Sequence, residues 1–183
     1  MVYVFLADGF EEMEAVAPID ILRRLNIPVT TVGVTGKIVT GSHGIGITAD
    51  KEIDSTDFSD ITAIVLPGGM PGTLNLKKCV KLTDIIKRCE DEEIIISALC
   101  AAPSVLGDAG VLKGREYTCY PGFEESIDGI YINIPLVIDD KRGTVITAWG
   151  PGAAYRFGFA LAEKILGKKT DDLKRSMMMC GDE

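Results

Sequence analysis

The sequence predicts one α/β domain built on a doubly wound, mainly parallel sheet. Short, continuously apolar runs alternate with segments of helical periodicity along the 183 residues. Strands that are apolar on both faces are typical of a parallel sheet covered by helices on each side. Because no repeat, low-complexity tract or linker interrupts this alternation, we predict that residues 1–183 fold as a single domain.

Four apolar runs predict the central strands. Each is rich in β-branched residues and is followed by a glycine, a turn or a helical segment. They are "VYVFLA" (2–7), "VTTVGV" (29–34), "AIVLPGG" (63–69) and "IIISALC" (94–100).

Two helices are predicted between these strands. The first covers 11–25, where Pro18 is expected to kink the helix or to mark an internal restart. The second covers 76–91, where four apolar side chains share one face and both cysteines are expected in the core. These four residues are Cys79, Leu82, Ile86 and Cys89.

The last third of the chain predicts β structure and one more helix. "YTCYPG" (117–122) predicts a short strand, and "LVIDD" and "TVITAW" predict an antiparallel hairpin around Lys141–Gly143. Residues 152–166 predict an amphipathic helix that stops at Gly167. Its apolar stripe is expected to contain Tyr155, Phe159, Ala162 and Leu166.

Composition excludes several classes of partner. The 27 acidic residues outnumber the 19 basic ones, and the net charge of -8 argues against binding to nucleic acid. No apolar run approaches the roughly 18 residues of a membrane span, and the N-terminus does not resemble a signal peptide, so we expect a cytoplasmic protein without a membrane partner. The five cysteines match no disulfide framework or zinc-binding spacing, which indicates free thiols and no metal.

Cys100 stands where a predicted strand runs into a predicted helix. Ligands of open α/β sheets bind at this edge, and a helix N-terminus can lower a thiol pKa from about 8.5 to about 3.5–7.5. A reactive thiolate is one interpretation, and a buried, inert cysteine is the other. Cys119 is expected in the core, with a resolving thiol as the alternative.

Three other loops end strands or open helices. "LPGGMPG" (66–72) contains glycines whose N–H groups could face a developing negative charge, although a tight turn also explains them. "DGFEEMEA" (8–15) carries Glu11, Glu12 and Glu14 in a first helical turn, where acids commonly complement the helix dipole, although one of them could instead point back at the strand ends. "WGPGAA" (149–154) is a turn entering a helix.

Taken together, "DGFEEMEAV", "VLPGGMPG", "ALCAAPSVL" and "TAWGPGAA" resemble the ThiJ/PfpI superfamily. The resemblance is to the branch that contains the Parkinson-disease-associated deglycase and its bacterial relatives, and it covers nearly the whole chain. It implies a flavodoxin-like α/β sandwich, similar to class I glutamine amidotransferases. It also implies a homodimer, with the helix that carries Glu14, Val16, Ile19 and Leu22 as the usual interface.

The resemblance also implies site residues. It places the nucleophile at Cys100, the acid beside it at Glu14, and backbone oxyanion donors at Gly69 and Ala101 with Gly68 next to them. The histidine that many members hold near the nucleophile corresponds to Tyr120. The chain's only histidine, His43, is expected in a turn, with a contribution to the partner subunit's site as the alternative.

Three functions follow from these expectations. The first is a cofactor-free, cysteine-dependent enzyme acting on reactive carbonyls, a small aldehyde or a glycated substrate, in the manner of a glyoxalase or deglycase. The second is an oxidative-stress sensor or chaperone in which Cys100 oxidises to a sulfinate. The third, an amidase or peptidase, lacks a histidine base beside the nucleophile.

Overall fold

The structure, a computed structural model, describes residues 1–138 and 143–179. Within them the strands, in chain order, are β1 (Val2–Leu6), β2 (Val29–Gly33), β3 (Ile38–Thr40), β4 (Gly46–Thr48), β5 (Lys51–Glu52), β6 (Ala63–Leu66), β7 (Ile95–Leu99), β8 (Glu116–Tyr117), β9 (Ile130–Tyr131), β10 (Leu136–Ile138) and β11 (Val145–Ala148). The helices are α1 (Glu12–Arg24), α2 (Gly72–Lys77), α3 (Val80–Asp91), α4 (Pro103–Asp108), α5 (Ala154–Leu166) and α6 (Asp171–Ser176).

Seven strands form the central sheet in the order β10-β11-β7-β6-β1-β2-β5. All neighbouring pairs are parallel except β10 and β11, which are antiparallel. The chain adds strands first on one side of β1 and then, from β6 onward, on the other. A crevice therefore forms between β1 and β6 at the carboxyl ends of the strands, where such sheets bind ligands. The doubly wound α/β prediction is confirmed.

Two hydrophobic cores lie on opposite faces of this sheet. Along β1, Tyr3 and Phe5 belong to the first core, which lies under α3 and α4. The alternate residues Val4 and Leu6 belong to the second core, which lies under α1 and α5. Successive side chains of a strand point to opposite faces, and here both faces are covered. This double burial explains why the central strands are apolar at nearly every position.

Helices α1 and α5 pack closely in the second core. A Cβ added at Gly158 would lie 2.7 Å from Cδ1 of Ile21 and 3.0 Å from Cα of Pro18, so the small residue lets the two helices approach. α1 runs through Pro18 without a break. The predicted internal restart is therefore absent.

Two helix predictions need correction. Segment 76–91 is not one helix, because α2 ends at Lys77 and α3 starts only after Cys79, which has an extended backbone and is half-buried against the first core. Cys89 is fully buried, as expected. In α5 the buried stripe contains Phe157 and Leu161, whereas Tyr155 is 51% exposed.

The predicted hairpin is present as the antiparallel pair β10–β11, although most of its turn lies outside the described residues, as does Cys180. Among the described helices, none is both long and apolar enough to cross a lipid bilayer.

Candidate functional site

The candidate site lies at the carboxyl ends of four neighbouring strands. Each residue follows the end of one strand: Glu14 lies in the helix after β1, Gly68 and Gly69 in the loop after β6, Cys100 after β7, and Gly150 after β11. These strands are adjacent in the sheet, so their carboxyl ends meet at one edge. The structure thereby brings together the residues that the sequence singled out in four separate motifs.

Cys100 occupies a tight, strained turn between β7 and α4, which we call the elbow. Its φ of 62° lies in the left-handed region, which is uncommon for a residue with a side chain. The Cys100 N–H donates to the Ala148 carbonyl at 2.9 Å, and the Cys100 carbonyl accepts from the Tyr120 N–H at 2.8 Å. These bonds hold the turn from both sides and leave the thiol half-buried at the strand end.

Glu14 lies in the first turn of α1 and is fully buried. Its N–H donates to the side chain of Glu11, the residue that caps the helix, at 2.8 Å. Its Oε2 accepts from the Gly68 N–H at 2.7 Å, which ties β1 to β6 across the crevice. Its Oε1 is buried without a hydrogen-bond partner among the described residues, and the carboxyl as a whole interacts with the Cys100 thiol. The carboxyl is thus fixed at one oxygen and available at the other.

The two glycines after β6 are required by close backbone approach. A Cβ at Gly68 would lie 2.7 Å from Cβ of Cys100 and 2.9 Å from the Ala101 nitrogen. Gly69 adopts a φ of 89° and lies against the backbone of the loop before α1. Glycine is the one residue that fits both positions without displacing the elbow.

Backbone donors surround the sulfur. The N–H groups of Gly69 and Ala101 interact with the Cys100 thiol and lower its pKa. The Gly68 N–H, by contrast, donates to Glu14. The arrangement can stabilise negative charge on the sulfur or on an oxygen bound next to it.

The acid and the thiol interact strongly. Burial raises the pKa of Glu14 to about 7, the charge of Glu11 adds to this, and the Gly68 N–H and the thiol act in the opposite direction. Burial, followed by the charge and hydrogen bond of Glu14, raises the pKa of Cys100 to about 12. This direction is opposite to the lowered thiol pKa of the thiolate interpretation, because burial and the charge of Glu14 outweigh the two N–H groups.

A consequence is that the pair holds at most one negative charge near neutral pH. With a pKa near 7, Glu14 exists in both protonation states there and can take up or return a proton. The thiol does not ionise unaided, but it lies beside a carboxylate able to remove its proton. The site is therefore suited to base-assisted attack by sulfur.

Gly150 forms the wall opposite this pair. A Cβ there would lie 3.4 Å from Cδ2 of Tyr120, 3.7 Å from Oε1 of Glu14 and 3.8 Å from Cβ of Cys100. Sequence reasoning identified the "WGPGAA" turn but not Gly150 as part of the site. The contact depends on the pairing of β11 with β7, which no local pattern encodes.

Tyr120 is the residue that the resemblance matched to a family histidine. Its side chain is half exposed, and its ring lies edge-on to Phe123. A phenol in this position cannot act as the imidazole base of a Cys–His–acid triad.

His43 lies in the turn between β3 and β4, as expected from the sequence. Its Nδ1 lies 2.8 Å from Oε2 of Glu12, and its N–H donates to Oε1 of Glu12 at 2.7 Å. Burial raises the pKa of Glu12, but these bonds and the Ile45 N–H outweigh it and lower the pKa; the pKa of His43 is raised by the same pairing. Glu12 therefore anchors the loop, a long-range role that sequence reasoning missed.

Glu11, Glu12 and His43 place carboxylate and imidazole atoms within 4.8 Å of one another, close enough to be considered as metal ligands. The helix cap made by Glu11 and the loop contacts made by Glu12 account for this cluster without an ion.

Comparison with known proteins agrees with this geometry. Residues 1–164 match the model of the DJ-1/PfpI family. The chain belongs to the DJ-1/PfpI family. Among its relatives, protein dj-1beta of Drosophila melanogaster is 34% identical over 96% of this chain and 95% of the relative. The Parkinson disease protein 7 homolog of Danio rerio is 34% identical over 90% of this chain and 88% of the relative.

Solved structures of the family have the same fold. A cysteine-to-alanine mutant of a DJ-1 superfamily protein from Salmonella typhimurium superposes with a TM-score of 0.92 at 32% identity, covering 98% of both chains. Drosophila melanogaster DJ-1beta gives a TM-score of 0.90 at 32% identity, again covering 98% of both chains. The flavodoxin-like DJ-1 fold is thereby confirmed.

Proposed function

We propose that this DJ-1/PfpI protein is a cysteine-dependent enzyme that converts reactive carbonyl compounds, such as a small 2-oxoaldehyde or its early glycation adduct, into hydroxy acids. The observation that carries the proposal is the buried Glu14 carboxyl beside the Cys100 thiol, with the N–H groups of Gly69 and Ala101 at the sulfur. This set supplies a nucleophile, a base with a pKa near neutrality and donors for an oxyanion.

For a 2-oxoaldehyde, the first step is addition of sulfur to the aldehyde carbon. Glu14 takes the thiol proton as the carbon–sulfur bond forms, and the N–H groups of Gly69 and Ala101 stabilise the developing oxyanion. Protonation of this oxygen by Glu14 gives a hemithioacetal and returns the carboxylate.

The second step is an oxidation–reduction between two neighbouring carbons of the substrate. Glu14 removes the proton from the former aldehyde carbon, an enediol forms, and protonation of the neighbouring carbon gives a thioester of the 2-hydroxy acid. Water then cleaves the thioester, which releases the hydroxy acid and restores the thiol. One carbon is oxidised and its neighbour is reduced, so the reaction balances without an external oxidant, reductant or cofactor.

Methylglyoxal provides the direct test. The purified protein is expected to form lactate, and Cys100→Ser is expected to abolish this activity, as measured by lactate production. Cys79→Ser is the matched control, because Cys79 is also partly exposed but packs against the core away from the site. Absence of lactate from the parent protein, or equal turnover by Cys100→Ser, would refute the proposal.

A second candidate is redox sensing through Cys100. The same two N–H groups that face the sulfur could hold the oxygens of a sulfinate, and an oxidised Toxoplasma gondii DJ-1 is among the similar solved structures, at 29% identity. The raised thiol pKa argues for slow oxidation, because the thiolate is the species that peroxide attacks.

Mass spectrometry after mild peroxide treatment tests this second role. Selective sensing requires two added oxygens that map to Cys100, with Cys79, Cys89, Cys119 and Cys180 unmodified. Oxidation spread evenly over the five cysteines would exclude it. Peptidase activity is the weakest candidate, because the chain's only histidine is paired with Glu12.

We also propose a homodimer that assembles through α1, acting in the cytoplasm. The exposed apolar side chains of this helix are Met13 and Val16, at 56% and 48% exposure. Ile19 and Leu22, which the resemblance placed at the interface, are buried inside the chain. A contribution of His43 to the partner's site belongs to the same proposal and depends on this assembly.

A further inference from the structure

A cavity of about 500 Å³ adjoins the candidate site. Its walls include the aromatic side chains of Tyr120 and Trp149, three prolines and one alanine, with polar groups from Asn133 and Arg156. This volume falls in the range of about 300–1,000 Å³ that is typical of small-molecule sites, and its mainly apolar lining with few polar groups is equally typical.

The cavity and the thiol share a wall. Gly150 lines the cavity, and a Cβ on it would lie within 3.8 Å of Cβ of Cys100 and within 3.7 Å of Oε1 of Glu14. Tyr120 lines the same cavity, while its N–H is bonded to the Cys100 carbonyl at 2.8 Å. The lining is thus hydrogen-bonded at Tyr120 to the elbow that presents the sulfur, and at Gly150 it comes close to the same elbow.

We infer that this cavity is a subsite for an aromatic or similarly bulky apolar group attached to the carbonyl that Cys100 attacks, with Tyr120 as its specificity-determining wall. The inference rests on the proposed carbonyl chemistry and names its substrate class as aryl-substituted 2-oxoaldehydes. A methyl group is too small to contact the walls, whereas an aryl ring can lie against the faces or edges of Tyr120 and Trp149.

The position of Tyr120 makes the wall selective. Its backbone bond to Cys100 fixes the distance between the ring and the thiol, and its edge-on contact with Phe123, at 6.5 Å between ring centroids, restricts the ring's orientation. Half of the side chain is exposed in the free protein. An apolar substrate group that covers it therefore removes apolar surface from water.

Steady-state kinetics with phenylglyoxal and methylglyoxal test the preference. The parent protein is expected to have a kcat/KM for phenylglyoxal at least about tenfold above that for methylglyoxal. Tyr120→Ala is expected to lower this ratio about tenfold, and Tyr120→Phe, which keeps the ring, is expected to retain it. Tyr155→Ala is the matched control, because Tyr155 is equally exposed but does not line the cavity.

A binding measurement separates the subsite from the reaction. Trp149 is the only tryptophan of the chain and lines the cavity, so its fluorescence reports occupancy directly. In Cys100→Ser, mandelate, the product expected from phenylglyoxal, should change this fluorescence saturably; lactate at the same concentrations should not. The mandelate response should weaken in the double variant with Tyr120→Ala.

The two readouts fail independently. Cys100-dependent turnover of methylglyoxal with a phenylglyoxal ratio of one or less, and no mandelate response, would overturn the subsite and leave the reaction standing. Saturable, Tyr120-dependent mandelate binding without turnover of either aldehyde would support the subsite and refute the reaction. A ratio unchanged in Tyr120→Ala would overturn the role of Tyr120.

Discussion

Glu14 controls the thiol through its charge. Burial raises the pKa of both groups, and the charge and hydrogen bond of Glu14 raise the pKa of Cys100 further, so the ionised acid opposes ionisation of the sulfur. The carboxylate then serves the reaction as a base rather than as a partner that stabilises a resting thiolate. The two roles predict opposite changes in the pKa of Cys100 when the charge of Glu14 is removed.

In Glu14→Gln we expect the pKa of Cys100 to fall below its value in the parent protein, because the neighbouring charge is removed while the N–H groups of Gly69 and Ala101 remain. The pH dependence of Cys100 alkylation by iodoacetamide, followed by mass spectrometry, measures this pKa. Glu125→Gln, on an exposed turn, is the control and should leave the profile unchanged. A higher thiol pKa in Glu14→Gln would mean that Glu14 instead donates a proton to a thiolate.

Gly68 allows the backbone after β6 to lie against the elbow. In Gly68→Ala the new Cβ would lie 2.7 Å from Cβ of Cys100, so the elbow must shift. We expect a loss of about 1–3 kcal/mol in the free energy of unfolding, measured in urea, and slower alkylation of Cys100. Gly46→Ala is the control, since its Cβ would meet no atom within 4 Å. Equal stability and reactivity in both variants would contradict the close-packed elbow.

At the scale of elements, Glu163 joins the last two described helices. Its Oε1 accepts from the N–H and hydroxyl of Thr170, the residue that caps α6, at 3.2 and 3.0 Å. Lys169 and Lys174 each lie 3.1 Å from a carboxylate oxygen. Burial raises the pKa of Glu163, but these bonds outweigh it and lower the pKa to about 2.

Because this folded-state pKa lies below the usual value of 4.5, the ionised Glu163 stabilises the fold above about pH 4.5, and the stabilisation is lost as the pH falls towards about 2. We expect Glu163→Gln to lower the free energy of unfolding at neutral pH by on the order of 1 kcal/mol after solvent screening, with the difference disappearing towards about pH 2. Urea denaturation at several pH values measures it.

Asp172→Asn supplies the comparison for this experiment. Asp172 pairs with Arg175 on the surface of α6, where both side chains are largely exposed. This substitution should leave stability unchanged within error at neutral pH. A loss in Glu163→Gln that persists undiminished in acid would show that packing, not charge, accounts for its effect.

Some features of the strands and helices follow from sequence patterns, and others do not. The central strands were predictable because burial on both faces leaves continuous apolar runs, and Cys100 was predictable as a strand-end residue. The break before Cys79 was not, since the apolar periodicity continues through it. The contact between Glu12 and His43 joins residues that are distant in sequence. The direction in which the pKa of the thiol shifts depends on burial and on the distance to Glu14.

At the scale of the whole molecule, α1 presents apolar side chains to solvent while its other face fills the second core. Light scattering coupled to size exclusion is expected to give twice the mass of one chain. Val16→Lys should shift the protein towards the monomer, because a charge in a closed apolar interface is costly. Val80→Lys, at a 74% exposed position on α3, should remain dimeric. A monomeric parent protein at micromolar concentration would refute the assembly.

The packing of α1 against α5 has a consequence for biosynthesis. α1 is complete by residue 24, but the helix that covers it begins at residue 154. A ribosome therefore exports most of the chain before this apolar surface can be shielded, and until then it is open to aggregation or to chaperones. We therefore expect the face of the sheet under α1 to close only after residues 154–166 have left the ribosome.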